Sequence, residues 1–139
     1  LGKKGDLMAL EVNMRPSGGF TPDMINFARE TEVNKIWADM VAYDSTQKPI
    51  GAHHFCAFAG LRDGKDFAMT PDDIIEKYDD HLKMVERMPD ALADAMGNQM
   101  YLATFDTEEA LNAFFADVTR LKEVDTSEES ETAETIVDK

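Results

Sequence analysis

The stretch Leu10-Glu11-Val12-Asn13-Met14-Arg15-Pro16-Ser17-Gly18-Gly19-Phe20 alternates apolar and polar side chains and then breaks into a turn rich in Pro and Gly. In an extended chain, residues at i, i+2 and i+4 point to one face. Glu11, Asn13 and Arg15 therefore share a face, and Leu10, Val12 and Met14 share the other. The apolar face can pack on a core, while the polar face offers two oxygen ligands for a hard cation and a guanidinium fork for phosphate. The plain alternative is the solvent face of an edge strand, which requires no ligand.

Upstream, Lys3-Lys4-Gly5-Asp6 is a polar turn and residues 7–13 form the expected strand. A strand entered through such a turn resembles the second arm of a hairpin, with a first arm that would precede Leu1. Downstream, Thr21-Pro22-Asp23 has the composition of a helix start: a capping hydroxyl, proline at the first helical position and an acid in the first turn. Met24, Ile25, Phe27 and Ala28, then Val33, Ile36, Trp37, Met40 and Val41, follow at helical spacing. These patterns predict two short helices over about residues 22–29 and 32–43.

The spacing next predicts a strand over residues 52–61, with Asp63-Gly64 turning the chain into a return strand near 66–69. Thr70-Pro71-Asp72-Asp73 repeats the capping composition, and Ile74, Ile75, Tyr78, Leu82 and Val85 extend a helical pattern that should stop near Met88, before Pro89. Residues 91–96 are ambiguous, since their alanines favour helix; the preferred expectation is a hairpin of 91–96 with 100–105 around Gly97-Asn98. Asp106-Thr107-Glu108-Glu109 opens a last helix with Leu111, Phe114, Phe115, Val118 and Leu121 on one face. The whole layout is α+β, with a mostly antiparallel sheet and packed helices.

A chain of 139 residues with 43% hydrophobic residues holds one domain with a real core. Its apolar runs are short and broken by charge, so a membrane partner is not expected. The net charge of −14 argues against nucleic acid, which needs clustered Lys and Arg. Seven acids and Lys139 within residues 123–139 contribute −6 of that charge, in a Ser/Thr/Glu-rich segment expected to be a disordered tail. The lone Cys56 excludes an internal disulfide and a multi-cysteine zinc site, and suits a reducing cytoplasm.

The run Glu11-x-Asn13-x-Arg15-Pro16-x-Gly18-Gly19, followed by Thr21-Pro22-Asp23-Met24, resembles the distal metal-binding segment of ATP-grasp enzymes. The nearest likeness is to the branch containing biotin carboxylase and the large subunit of carbamoyl-phosphate synthase. It is strong over about residues 7–43 and weaker beyond them. The resemblance implies that the chain is the C-terminal portion of an ATP-grasp fold. Residues 1–50 would be the distal part of the ATP-grasp domain with its metal-binding strand, 51–122 the C-terminal α+β region of the same unit, and 123–139 the tail. It implies an ATP-dependent ligase that activates a small carboxylate substrate as an acyl phosphate. Glu11 and Asn13 would ligate Mg2+, or alternatively Mn2+, carried by ATP. Arg15 would be the catalytic group beside the transferring phosphate, with Asn13, Arg15, Gly18 and Gly19 against the nucleotide. The nucleotide lysines, the glycine-rich loop and a second acidic metal ligand of that family would precede Leu1, so the chain is expected to be inactive alone.

The other chemistry-bearing residues have simpler expectations. His53 and His54 are adjacent and face opposite ways on a strand, so they cannot chelate one metal as a pair; packing and surface roles are expected. Cys56 is expected as a buried small hydrophobe, and His81 as a solvated helix residue. Asp72 and Asp73 are explained by a helix N-terminus. The competing expectation for the whole chain is a non-enzymatic acidic α+β interaction module. A third is an inert fragment that forms a homodimer through an exposed sheet edge.

Overall fold

A computed structural model describes residues 15–123. Glu11, Asn13, the expected strand over 7–13 and the acidic segment beyond Glu123 lie outside the described residues. In chain order the elements are α1 (Thr21–Arg29), α2 (Val33–Tyr43), β1 (Phe55–Leu61), α3 (Pro71–Tyr78), β2 (Leu82–Arg87), α4 (Asp90–Met96), β3 (Gln99–Phe105) and α5 (Glu108–Thr119). The α+β expectation holds, and the three-stranded sheet is wholly antiparallel in its pairings.

Strand order is β1-β3-β2, so β3 is central and β1 and β2 run parallel to each other on either side of it. The path β1–α3–β2 is a crossover with a third strand inserted into its gap. Central position explains the composition of β3: Met100, Tyr101, Leu102 and Ala103 are all fully buried, as a strand covered on both faces requires. Alternation then divides two cores. Tyr101, Ala103 and Phe105 join Ala57, Ala59 and Leu61 of β1 beneath Ile74 and Tyr78 of α3 and Phe114 and Val118 of α5. Met100 and Leu102 face the other way, against Phe20, Met24 and Phe27 of the α1 region and Cys56, Phe58, Met84 and Met96. The sheet is thus sandwiched between α1 on one face and α3 with α5 on the other. Each fully buried large side chain, such as Phe114 or Leu102, contributes about 1.5–3 kcal/mol through removal from water.

Helix α3 is started by a true capping box: the Thr70 hydroxyl accepts from Asp73 N, and the Asp73 carboxylate accepts from Thr70 N at 2.8 Å. It ends at Tyr78, ten residues short of the expected Met88. Leu82 and Val85 fit helical spacing from Ile74 and Tyr78 only by coincidence. A bulge between Leu82 and Met84 sends Leu82 to the α3–α5 core and Met84 to the α1 core, so a strand buries both.

With β2 and β1 occupying both edges of β3, the expected hairpin of 91–96 with 100–105 has no place. Residues 90–96 form α4 instead, closed by Gly97 at φ 86°, whose N–H donates to Ala93 O. The expected hairpin of 52–61 with 66–69 is also overturned. Gly64 does turn the chain at φ 78°, but β1 pairs with β3. Residues 66–68 instead meet the chain after α5, through a Phe67–Leu121 bridge and bonds from Ala68 N to Arg120 O and Lys122 N to Asp66 O. At α1, Thr21 is the first helical residue and not the cap; Phe20 stands at the cap without a side-chain bond. At α5, Thr107 alone caps, accepting from Ala110 N at 3.2 Å.

Candidate functional site

Of the expected site residues, the described structure contains Arg15, Gly18 and Gly19, all exposed in the turn that enters α1. Arg15 Nη1 donates to Pro16 O at 3.1 Å, folding the guanidinium back onto its own loop. Gly19 has φ 61°, a left-handed conformation that favours glycine. Nothing lies within 4 Å of the position a Cβ would take at either Gly18 or Gly19, so packing within the chain demands neither. The turn is pinned to the sheet by Phe20, whose ring stacks on Phe58 of β1 at 5.9 Å between centroids, and by Pro22, which is buried. The position of this turn is therefore fixed by the α1-side core, while its polar groups face solvent.

A second constellation was not legible in the sequence. The turn after α1 places Glu30 at φ 44°, where Gly51 passes against it so closely that a Cβ on residue 51 would lie 2.6 Å from Glu30 Cβ. Gly51 N donates to Arg29 O and His54 N to Ala28 O, both at 2.8 Å, so the segment before β1 is laced to the end of α1. This brings the His54 imidazole between two carboxylates: Nε2 lies 3.2 Å from Glu30 Oε1 and Nδ1 3.0 Å from Asp106 Oδ1. The bond with Glu30 first, then that with Asp106, raises the pKa of His54 above its ordinary value, and the bond with His54 lowers that of Glu30.

Asn26, Glu30, His54, Asp80, His81 and Asp106 line a cavity of about 540 Å³ here. His81 is exposed, as expected, but it stands in the turn between α3 and β2 and not on a helix; its Nδ1 lies 3.0 Å from Thr104 O and its ring stacks on Phe105 at 4.7 Å. His53 and His54 do face opposite ways, His53 packing edge-on against Phe55. With both nitrogens of His54 engaged by carboxylates, neither nitrogen is placed to ligate a metal. Among the described residues no group of three His, Cys, Asp or Glu is placed to hold a metal ion.

The chemistry this arrangement can do is local and electrostatic. A protonated His54 ties the end of α1 to the β3–α5 junction, but Asp106 is 89% exposed, so solvent screens the pair and the tie orders more than it stabilises. Cys56 is half-buried and burial pushes its thiol pKa up, which suits an inert apolar filler. The sequence signal for His54 was weak because its partners are 24 and 52 residues away.

No protein-family model, no curated protein and no solved structure matches this chain. What the described residues establish is an α+β sandwich with an antiparallel sheet, in which no helix is long and apolar enough to cross a membrane.

Proposed function

We propose that the chain is the C-terminal portion of an ATP-grasp, Mg2+-dependent ligase, supplying one wall of its active site. The reading rests on one observation: in the sequence Glu11, Asn13 and Arg15 stand at alternate positions ahead of Gly18-Gly19, and the helix that follows opens on Thr21-Pro22-Asp23. Two features support it. The Arg15 guanidinium meets only its neighbour's carbonyl among the described residues, and glycine at position 18 answers no packing need. Glu11 and Asn13 hold Mg2+, or Mn2+, on the phosphates of ATP. Arg15, with Gly18 and Gly19 beside it, stabilises charge as a small carboxylate substrate is phosphorylated to an acyl phosphate. The setting is cytoplasmic, and nucleic acid has no part in it.

The experiment is ATP- and Mg2+-dependent turnover by the polypeptide that includes the reading frame ahead of Leu1, with the acyl phosphate trapped by hydroxylamine. Turnover in the wild type and its loss on Glu11→Gln support the assignment. Wild-type turnover in the variant refutes it.

A second reading, a non-catalytic acidic association module, is favoured by α2. This helix has no buried residue and exposes Trp37, Met40, Val41 and Tyr43. The occupant would be a second copy of the chain, meeting either this face or an edge of the sheet, since β1 and β2 are the edge strands among the described residues. Light scattering decides it: a dimer dispersed by Val41→Glu supports the α2 face, a dimer that survives the change points to the edge, and a monomer at high concentration refutes the reading.

A further inference from the structure

The second core tyrosine of this fold is anomalous. Tyr78 sends its hydroxyl to Asp117 Oδ2 at 2.6 Å. Tyr101, at the centre of the sheet and 0% exposed, has no hydrogen-bond partner for its hydroxyl among the described residues. Buried polar groups are nearly always paired, so an orphan on the central strand calls for an explanation. Tyr101 lines a cavity of about 430 Å³ on the sheet face opposite α1, between the loop of residues 62–71 and the chain after α5. That volume is in the range of small-molecule sites.

The walls carry the reverse of the chain's overall charge. Arg62, Lys65, Arg87 and Lys122 surround the cavity, against Asp63 and Asp66, in a protein of net charge −14. Arg87 is held bidentately by Asp63, and Arg62 donates to Asp94 O. Lys65 and Lys122 have no ion-pair partner among the described residues. Two lysines without an ion-pair partner among the described residues and the buried Tyr101 thus line one cavity, with Leu61, Phe67, Met69 and Pro71 supplying apolar wall.

We propose that this cavity binds the oxyanion group, carboxylate or phosphate, of a small organic molecule, the Tyr101 hydroxyl donating from the buried side and Lys65 and Lys122 supplying the countercharge. Burial first, and then the Asp72 carboxylate, push the Tyr101 pKa up, so the hydroxyl stays a donor through the neutral range. The site lies on the other face of the sheet from α1 and does not depend on the ATP-grasp reading.

The test is amide NMR titration of the 139-residue chain with inorganic phosphate and, separately, benzoate, at ionic strength held constant with sodium chloride. One or both anions should give saturable shifts confined to residues 62–71, 99–101 and 121–122. Saturation by phosphate alone marks a phosphate site, and by benzoate a carboxylate site with an apolar neighbour. The double variant Lys65→Ala/Lys122→Ala should bind about tenfold more weakly, and Tyr101→Phe about tenfold more weakly. Both variants should give folded spectra, with Tyr101→Phe melting at or above the wild-type temperature because its orphan hydroxyl is gone. Absence of saturable shifts with both anions, or wild-type affinity in either variant, overturns the proposal.

Discussion

Gly60→Ala probes the tightest contact between backbone segments near the end of the sheet. A Cβ at residue 60 would lie 1.9 Å from Met96 O and 2.9 Å from Met96 C, both backbone atoms at the end of α4. The neighbouring Gly97 is also confined, its own Cβ falling 2.7 Å from Gly60 C. Backbone cannot rotate out of the way as a side chain can, so α4 must retreat by more than about 1 Å to reach contact distance. That movement pulls on Asn98, which closes this end of the sheet through Asn98 N to Leu61 O and Met88 N to Asn98 O, both at 2.8 Å.

Overpacking costs about 1–3 kcal/mol and a weakened hydrogen bond about 1 more, for a total of about 2–4 kcal/mol. With a urea m-value of about 1.5 kcal/mol/M, the unfolding midpoint falls by about 1.3–2.7 M. Gly64→Ala is the control. Its φ is 78° but nothing lies within 4 Å of the added Cβ, so only backbone strain of about 1–2 kcal/mol is expected. A Gly60→Ala protein within about 0.5 kcal/mol of wild type, or one less destabilised than Gly64→Ala, would refute this account of how α4 meets β1.

Thr70→Ala removes the capping box of α3 and should cost about 1 kcal/mol in urea unfolding, with Thr70→Ser recovering most of it; equal stability of all three would contradict the cap. His54 should titrate above the ordinary histidine value of about 6.5 by NMR of its ring protons, since Glu30 and Asp106 bind its charged form and Asp80, His81 and Lys83 line the same cavity. A folded pKa raised above the unfolded one gives stability that is complete below the unfolded value and lost as pH rises through the folded one. The stability advantage of wild type over His54→Gln should therefore shrink as pH rises above neutrality, and an advantage that grows instead would contradict the pairing.

What the sequence disclosed follows from the range of the interactions involved. Helices α1, α2 and α5 and the strand expected over 100–105 were legible because caps and periodicity are local, although α5 ends at Thr119 and Leu121, expected on its apolar face, lies beyond it. The end of α3 was not, because Leu82 and Met84 reach opposite cores through a bulge that depends on β3, some twenty residues later. The Asp63-Gly64 turn was read correctly as a turn, yet its return strand was not formed: β1 has its partner in β3, and pairing between distant strands leaves no mark on local spacing. The same reason hid the functional geometry. His54 acquires its carboxylates from α1 and from the β3–α5 junction, and the orphan hydroxyl of Tyr101 exists only once β3 is central. The alternating face of Glu11, Asn13 and Arg15, by contrast, is a local pattern and was the first thing the sequence offered.

That face carries the central claim, and Mn2+ tests it on this chain directly, because a paramagnetic ion reports even weak binding by broadening nearby amide signals. With Mn2+ and ATP added at substoichiometric levels, the signals of residues 15, 17–20 and the start of α1 should broaden in the wild type and recover in Glu11→Gln and in Asn13→Ala. Equal broadening of those residues in all three proteins would contradict the assignment of Glu11 and Asn13 as metal ligands.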